Sequence, residues 1–297
     1  MKRKKWIIIA LSTVLILITG IILILSYSRS KKIDYSTSIK QSSLVKFDAS
    51  GQKFTRNLFV SDIHGRFANL KKTLADIHFS KSDRLFVDGD CIDHGPDGFD
   101  VLLYLTKTLP AEGYHTVVLT GDHEDMWWPM ASQGATDAEQ LANLTAKIDS
   151  YGTPSPNGWN YSLENWKKQT AADRAFLLKE MENDFGEPRQ LVIKIGQNWV
   201  SISHSARLDI PYYQETAYDL AWNRIPGSSF AFRDSLAAAL HVPASHVQVF
   251  IGHVSGMFFG VHPNYTCLDD TIVRGTEAQF VAVPIKIYDY EAGKFLD

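Results

Sequence analysis

Histidines and aspartates stand just after five short apolar runs of this chain. Asp62 and His64 follow Asn57-Leu-Phe-Val-Ser61, and Asp90 and Asp93 follow Arg84-Leu-Phe-Val-Asp88. Asp122 and His123 follow Thr116-Val-Val-Leu119, His204 follows Trp199-Val-Ser-Ile-Ser203, and His253 follows Val247-Gln-Val-Phe-Ile251 and a glycine. A single histidine at a strand end is more often structural, but four of them together with Asp62 and Asp90 point to metal. Carboxylates and imidazoles with few thiols suit hard or borderline divalent ions such as Mn, Fe, Zn or Mg. Two such ions about 3.5–4 Å apart can clamp a phosphoryl oxygen and activate water at neutral pH. Gly121-Asp-His-Glu-Asp125 sharpens the point, since three carboxylates around one imidazole repel unless protonated, solvated or neutralised by a cation.

These residues need elements to bring them together. From Phe54 onward an apolar run, a polar turn and a helix-like segment alternate, with Phe67, Leu70, Leu74 and Ile77 at helical spacing after the first turn. Three such units in succession predict an α/β core. In open α/β sheets, sites assemble at the carboxyl ends of strands, so groups spread over almost two hundred residues can converge. The stretch 126–189 reads as a mostly helical insertion over the site, its tryptophans, Trp127 and Trp128 among them, serving packing. A hairpin is predicted from Gln190–Ile195 and 199–203, a helix over about 230–240, and closing strands near 265–268 and 279–288.

The 297 residues are 45% hydrophobic and 21% charged with a net charge of −3, which gives no electrostatic case for a nucleic-acid duplex as partner. Cys91 and Cys267 make no disulfide framework. Met1-Lys-Arg-Lys-Lys5 precedes an apolar run from Trp6 to about Leu25, long enough to span a bilayer. That predicts an uncleaved single-pass anchor over 1–28, a tether over 29–53 and the main domain over 54–297. The heavier N-terminal basic cluster puts that domain on the extracytoplasmic or lumenal side of the membrane.

Asp62-x-His64-Gly65, Gly89-Asp90-x-x-Asp93-x-Gly95, Gly121-x-His123-Glu124, a strand-end His204 and Gly252-His253 resemble the five signatures of the calcineurin-like metallophosphoesterases. The details are most similar to the branch of serine/threonine protein phosphatases and symmetrical dinucleoside-tetraphosphatases. The resemblance implies two packed β-sheets flanked by helices and a two-metal hydrolase of phosphate esters or anhydrides. One metal would be held by Asp62, His64 and Asp90, and a second by Asp90 as bridge, Asp122, His204 and His253. His123, oriented by Asp93, would protonate the leaving oxygen after in-line attack by metal-activated water.

Three positions depart from the family pattern. Asp122 stands where asparagine is usual, lowering the net charge of the loaded site by one. His94 stands where protein phosphatases carry a phosphate-clamping arginine, and Ala206 where glycine is common. Arg207 and Arg224 are candidates to supply the missing cation. The expected substrate is therefore a small phosphorylated molecule, a nucleotide polyphosphate or polyphosphate. The rivals are a phosphoprotein substrate, as for a serine/threonine protein phosphatase, and a catalytically silent anchored binding module.

Overall fold

Valine, phenylalanine and leucine fill the first strands on both faces, the composition of parallel strands covered from either side. The computed structural model describes residues 45–186, 189–254, 258–271 and 283–296. In it β2 (Asn57–Val60), β3 (Arg84–Asp88) and β4 (His115–Leu119) pair in parallel. A C-terminal hairpin, β10 (Ile287–Asp289) and β11 (Lys294–Leu296), adds antiparallel to β2 and completes a five-stranded sheet ordered β11-β10-β2-β3-β4.

The second sheet has six strands, ordered β1-β5-β6-β7-β9-β8. Its middle is the predicted hairpin, β5 (Gln190–Ile195) and β6 (Asn198–Ser203), followed by β7 (Val247–Ile251) parallel to β6. The short strands β8 (Gly260–Val261) and β9 (Thr266–Cys267) close one edge. At the other edge β1 (Val45–Asp48) runs parallel to β5. Residues 45–48 read from sequence as tether, because Val-Lys-Phe-Asp is too short to show alternation and its partner lies far along the chain.

The sheets pack face to face. Phe59 lies between Phe86, at 4.9 Å between ring centroids, and Phe250, at 4.5 Å, with Leu119, Val200 and Ile202 around them. Outside the first sheet, Leu58, Val60, Leu85 and Val87 share a core with residues of Phe67–Asp76, Gly98–Leu103 and the helices between 122 and 182. Outside the second, Val249 and Ile251 share a core with Phe232 and Leu236 of Ala231–Leu240. Two mixed sheets flanked by helices are thus observed, as the resemblance implied. β2, β3 and β4 run parallel in one sheet and β6 and β7 in the other, and the residues just beyond the carboxyl ends of all five come together.

The expected membrane localisation is corrected. Among the described residues no helix is long and apolar enough to cross a membrane. The run from Trp6 to Leu25, on which the anchor and the sidedness of the domain rested, lies outside the described residues.

Candidate metal centre

Turns after five strands bring the sequence-predicted residues to one buried cluster. Asp62, His64, Asp90 and His253 follow their strands with φ of 52°, 47°, 54° and 62°, and Asp93 and His94 follow with 66° and 58°. Left-handed backbone at residues other than glycine costs of order 1–3 kcal/mol each and persists where the surroundings over-determine it. Six of the eleven such residues among the described residues belong to this cluster, so the strain is concentrated where side chains must be aimed. Two glycines permit the close approach of the turns. A Cβ on Gly121 would lie 2.1 Å from Asp90 Oδ1, and one on Gly252 would lie 2.0 Å from Ser61 Oγ and 2.5 Å from Asp62 Oδ2.

Two of the three donor groups that the side chains form overlap at Asp90. Ligand atoms of Asp62, His64 and Asp90 lie within 4.8 Å of one another, as do those of Asp90, Asp122, His204 and His253. Asp90 belongs to both. His64 Nδ1 is 2.8 Å from the Ile92 carbonyl oxygen and His204 Nδ1 is 2.6 Å from that of Asp88. A carbonyl only accepts, so each Nδ1 donates its proton. Each Nε2 is thereby turned to the carboxylates: His64 Nε2 faces Asp62 and Asp90 at 3.8 and 3.7 Å, and His204 Nε2 faces Asp90 and Asp122 at 3.2 and 3.3 Å. Orientation of a ligating imidazole through its other nitrogen is the usual second layer of a metal site. His253 Nδ1 is 3.1 Å from Asp122 Oδ1, and its buried Nε2 has no hydrogen-bond partner among the described residues.

Without cations this cluster is electrostatically frustrated. Burial, Asp269 and Asp90 push the Asp62 carboxyl well above the ordinary carboxylate range. Burial also opposes charge on Asp122, but hydrogen bonds from His204 and His253 outweigh it and hold that carboxyl low. Burial would depress His204, yet Asp90 and Asp122 raise it well above the ordinary imidazole range. In the metal-free protein a proton on His204 thus takes the place of a cation between carboxylates. His64 shows the opposite balance, lowered by burial and by the neighbouring His123 and His94. Lone pairs converging with buried carboxylates fit two divalent ions.

A family model described as calcineurin-like phosphoesterase matches residues 55–275. The chain belongs to that family. Its members hydrolyse phosphate esters or anhydrides with two divalent metal ions, in keeping with the two donor groups here. Among curated relatives, the symmetrical bis(5'-nucleosyl)-tetraphosphatase of Shewanella baltica is 33% identical over 98 residues, covering 31% of this chain and 35% of that protein. The protein of the same name from Serratia proteamaculans is 40% identical over 53 residues, 18% of this chain and 19% of its own. The chain therefore spans about a third or less of the curated relatives it matches. A solved structure of a hypothetical protein from Pyrococcus horikoshii aligns with a TM-score of 0.51 at 13% identity, over 81% of this chain and 86% of that one, a likeness of fold.

Around the phosphoesterase cluster lies a cavity of about 390 Å3, lined by Asp62, His64, Asp90, Asp122, His123 and His253 among others. His123 Nδ1 bonds Asp93 Oδ2 at 2.7 Å, which leaves Nε2 on the side of Asp90 Oδ2, 3.8 Å away. Burial alone would depress His123, but Asp90, Asp93 and Asp122 raise it to about 10. His94 also lines the cavity, edge-on to His64 and His123 at 4.7 and 5.0 Å between centroids, and burial with the His123 charge lowers it to about 4. It is neutral near pH 7 and is no cationic clamp. Of the two arginines, Arg224 lines the cavity. Arg207 does not line it, and its guanidinium pairs with Asp209 at 2.9 Å at the surface.

Glu124, in the first turn of the helix Asp122–Ala131, braces the cluster. Its carboxylate accepts the backbone N–H groups of Asp90 at 3.0 Å, Cys91 at 2.9 Å, Ile92 at 3.3 Å and Gly121 at 3.0 Å. It ties the turn after β3 to the turn after β4, although burial raises it to about 7. Asp125 forms a buried two-pronged pair with Arg189 at 2.5 and 2.7 Å. Glu124→Ala leaves four donors without their acceptor, and we expect it to lower unfolding stability by about 3 kcal/mol. Urea midpoints of metal-free wild type and variant measure this, and a loss under about 1 kcal/mol contradicts the bracing role.

Proposed function

We propose that this chain hydrolyses a phosphate ester or anhydride at the Asp90-bridged donor groups, with a small phosphorylated molecule, nucleotide polyphosphate or polyphosphate as substrate. The single observation that carries the reading is the membership of Asp90 in both groups beside a histidine held by its own carboxylate. Asp62, His64 and Asp90 would hold one divalent ion, and Asp90, Asp122, His204 and His253 the other. Bound there, the ions supply positive charge to the phosphoryl oxygens and lower the pKa of an attacking water.

The chain's own groups do the rest. His123 keeps a proton on Nε2 for the leaving oxygen, because Asp93 occupies Nδ1 and carboxylates stabilise the imidazolium. Cations at the loaded site would draw that value down from about 10 toward neutrality, which favours proton transfer. Trp222, Met126 and Asn157 line the cavity beside these groups. Arg224 is the arginine at its rim and would bind phosphates next to the scissile one.

A small substrate is favoured over a phosphoprotein because His94, neutral and folded against two imidazoles, cannot stand in for an arginine clamp. The curated relatives' names, symmetrical tetraphosphatases, lead us to include nucleotide polyphosphates. Full-length protein with manganese, the ion we would try first, is assayed against a dinucleoside tetraphosphate, a nucleoside triphosphate, polyphosphate and a phosphoserine peptide. Faster turnover of an anhydride than of the peptide is expected, with Arg224→Ala raising KM for the anhydride about tenfold. Faster turnover of the peptide sinks the substrate assignment, and no turnover with two ions bound favours a silent binding module.

A further inference from the structure

Asp93 sits on a left-handed turn between β3 and the helix Gly98–Leu103, where nothing in its own segment fixes the carboxylate. Its fixation comes from elsewhere in the chain. Trp159 Nε1 donates to Asp93 Oδ2 at 3.0 Å, the same oxygen that holds His123 Nδ1, and Ser162 Oγ donates to Asp93 Oδ1 at 2.5 Å. Both donors lie on the helix Trp159–Lys168, with Ser162 fully buried and Trp159 nearly so. A third tie joins the same segments, since the His94 N–H donates to the Asn157 carbonyl at 2.8 Å.

The consequence is geometric. A carboxylate bonded on one oxygen can rotate and carry its histidine along, whereas one bonded on both oxygens by groups of a packed helix is locked in plane. His123 delivers a proton only if Nε2 stays aimed into the cavity, and errors near 1 Å in such groups cost large factors in rate. We infer that Trp159 and Ser162 are positioning residues for leaving-group protonation, acting through Asp93 on His123. This rests on the proposed reaction and gives the helical segment beyond β4 a part in it.

Two aryl phosphates separate positioning from mere folding support. Phenolate leaves poorly and needs a proton, whereas 2,4-dinitrophenolate departs without one. Full-length, manganese-loaded Ser162→Ala and Trp159→Phe are expected to lose about tenfold in kcat on phenyl phosphate and less than about twofold on 2,4-dinitrophenyl phosphate, with KM and metal content unchanged. In an Asp93→Asn background, Ser162→Ala should add no further leaving-group dependence. Equal losses on both esters, or no loss on either, overturn the inference while wild-type hydrolysis stands. Wild type that cleaves neither ester overturns this inference, and wild type that cleaves no anhydride either overturns the phosphoesterase reading with it.

Discussion

His123→Asn is expected to lower kcat on an unactivated phosphate ester by about 10²–10³-fold, the usual contribution of a positioned acid, while both metal ions stay bound. The residue sits beside the donor groups without belonging to the Asp90-bridged pair. Its Nδ1 is committed to Asp93, and its backbone N–H donates to Asp90 Oδ1 at 3.2 Å. Asparagine keeps that backbone contact and removes the transferable proton. A rival role exists on geometric grounds, since His64, His94 and His123 also bring three nitrogens within 4.8 Å. Metal content decides between them: a lost ion in His123→Asn makes His123 a ligand, and two retained ions with collapsed turnover make it the acid.

Asp90→Asn should be the more damaging change, because one carboxylate serves both donor groups. Asp90 Oδ2 lies 3.7 Å from His64 Nε2 and 3.2 Å from His204 Nε2, so a single oxygen faces both halves of the centre. Asparagine offers a neutral oxygen in its place, and the loaded centre loses one of three carboxylates, Asp62, Asp90 and Asp122, that offset four positive charges. We expect weaker binding at both positions and a fall in turnover of more than about 10³-fold. Retention of wild-type affinity at one position would restrict Asp90 to the other.

The grouping of these donor side chains was legible in the sequence because each stands just after a strand, where side-chain type and turn chemistry are local facts. Asp62, His64, Asp90, Asp122, His204 and His253 meet because parallel strands end along one edge, and parallel strands announce themselves by continuous apolar runs. What sequence left obscure is set by contacts between distant segments. Glu124 reads as a helix-start acid, and only the folded turns show its carboxylate collecting four N–H groups. Trp159 and Ser162 carry no motif, since their function is to reach a residue more than sixty positions away. Arg207 and Arg224 were indistinguishable on a string of letters, and only the fold puts Arg224 on the cavity and Arg207 beside Asp209 at the surface. The strand at Val45–Asp48 was missed for a related reason: its pattern is supplied by the partner strand.

The central claim is that one aspartate bridges two cation positions. Calorimetric titration of the metal-free full-length protein with manganese, run beside Asp90→Asn and with hydrolysis followed in parallel, tests it most directly. Two ions per chain are predicted for wild type, with turnover rising as the second position fills, and loss of affinity at both positions in the variant. A single ion in wild type, or two ions bound equally well by Asp90→Asn, would contradict the account.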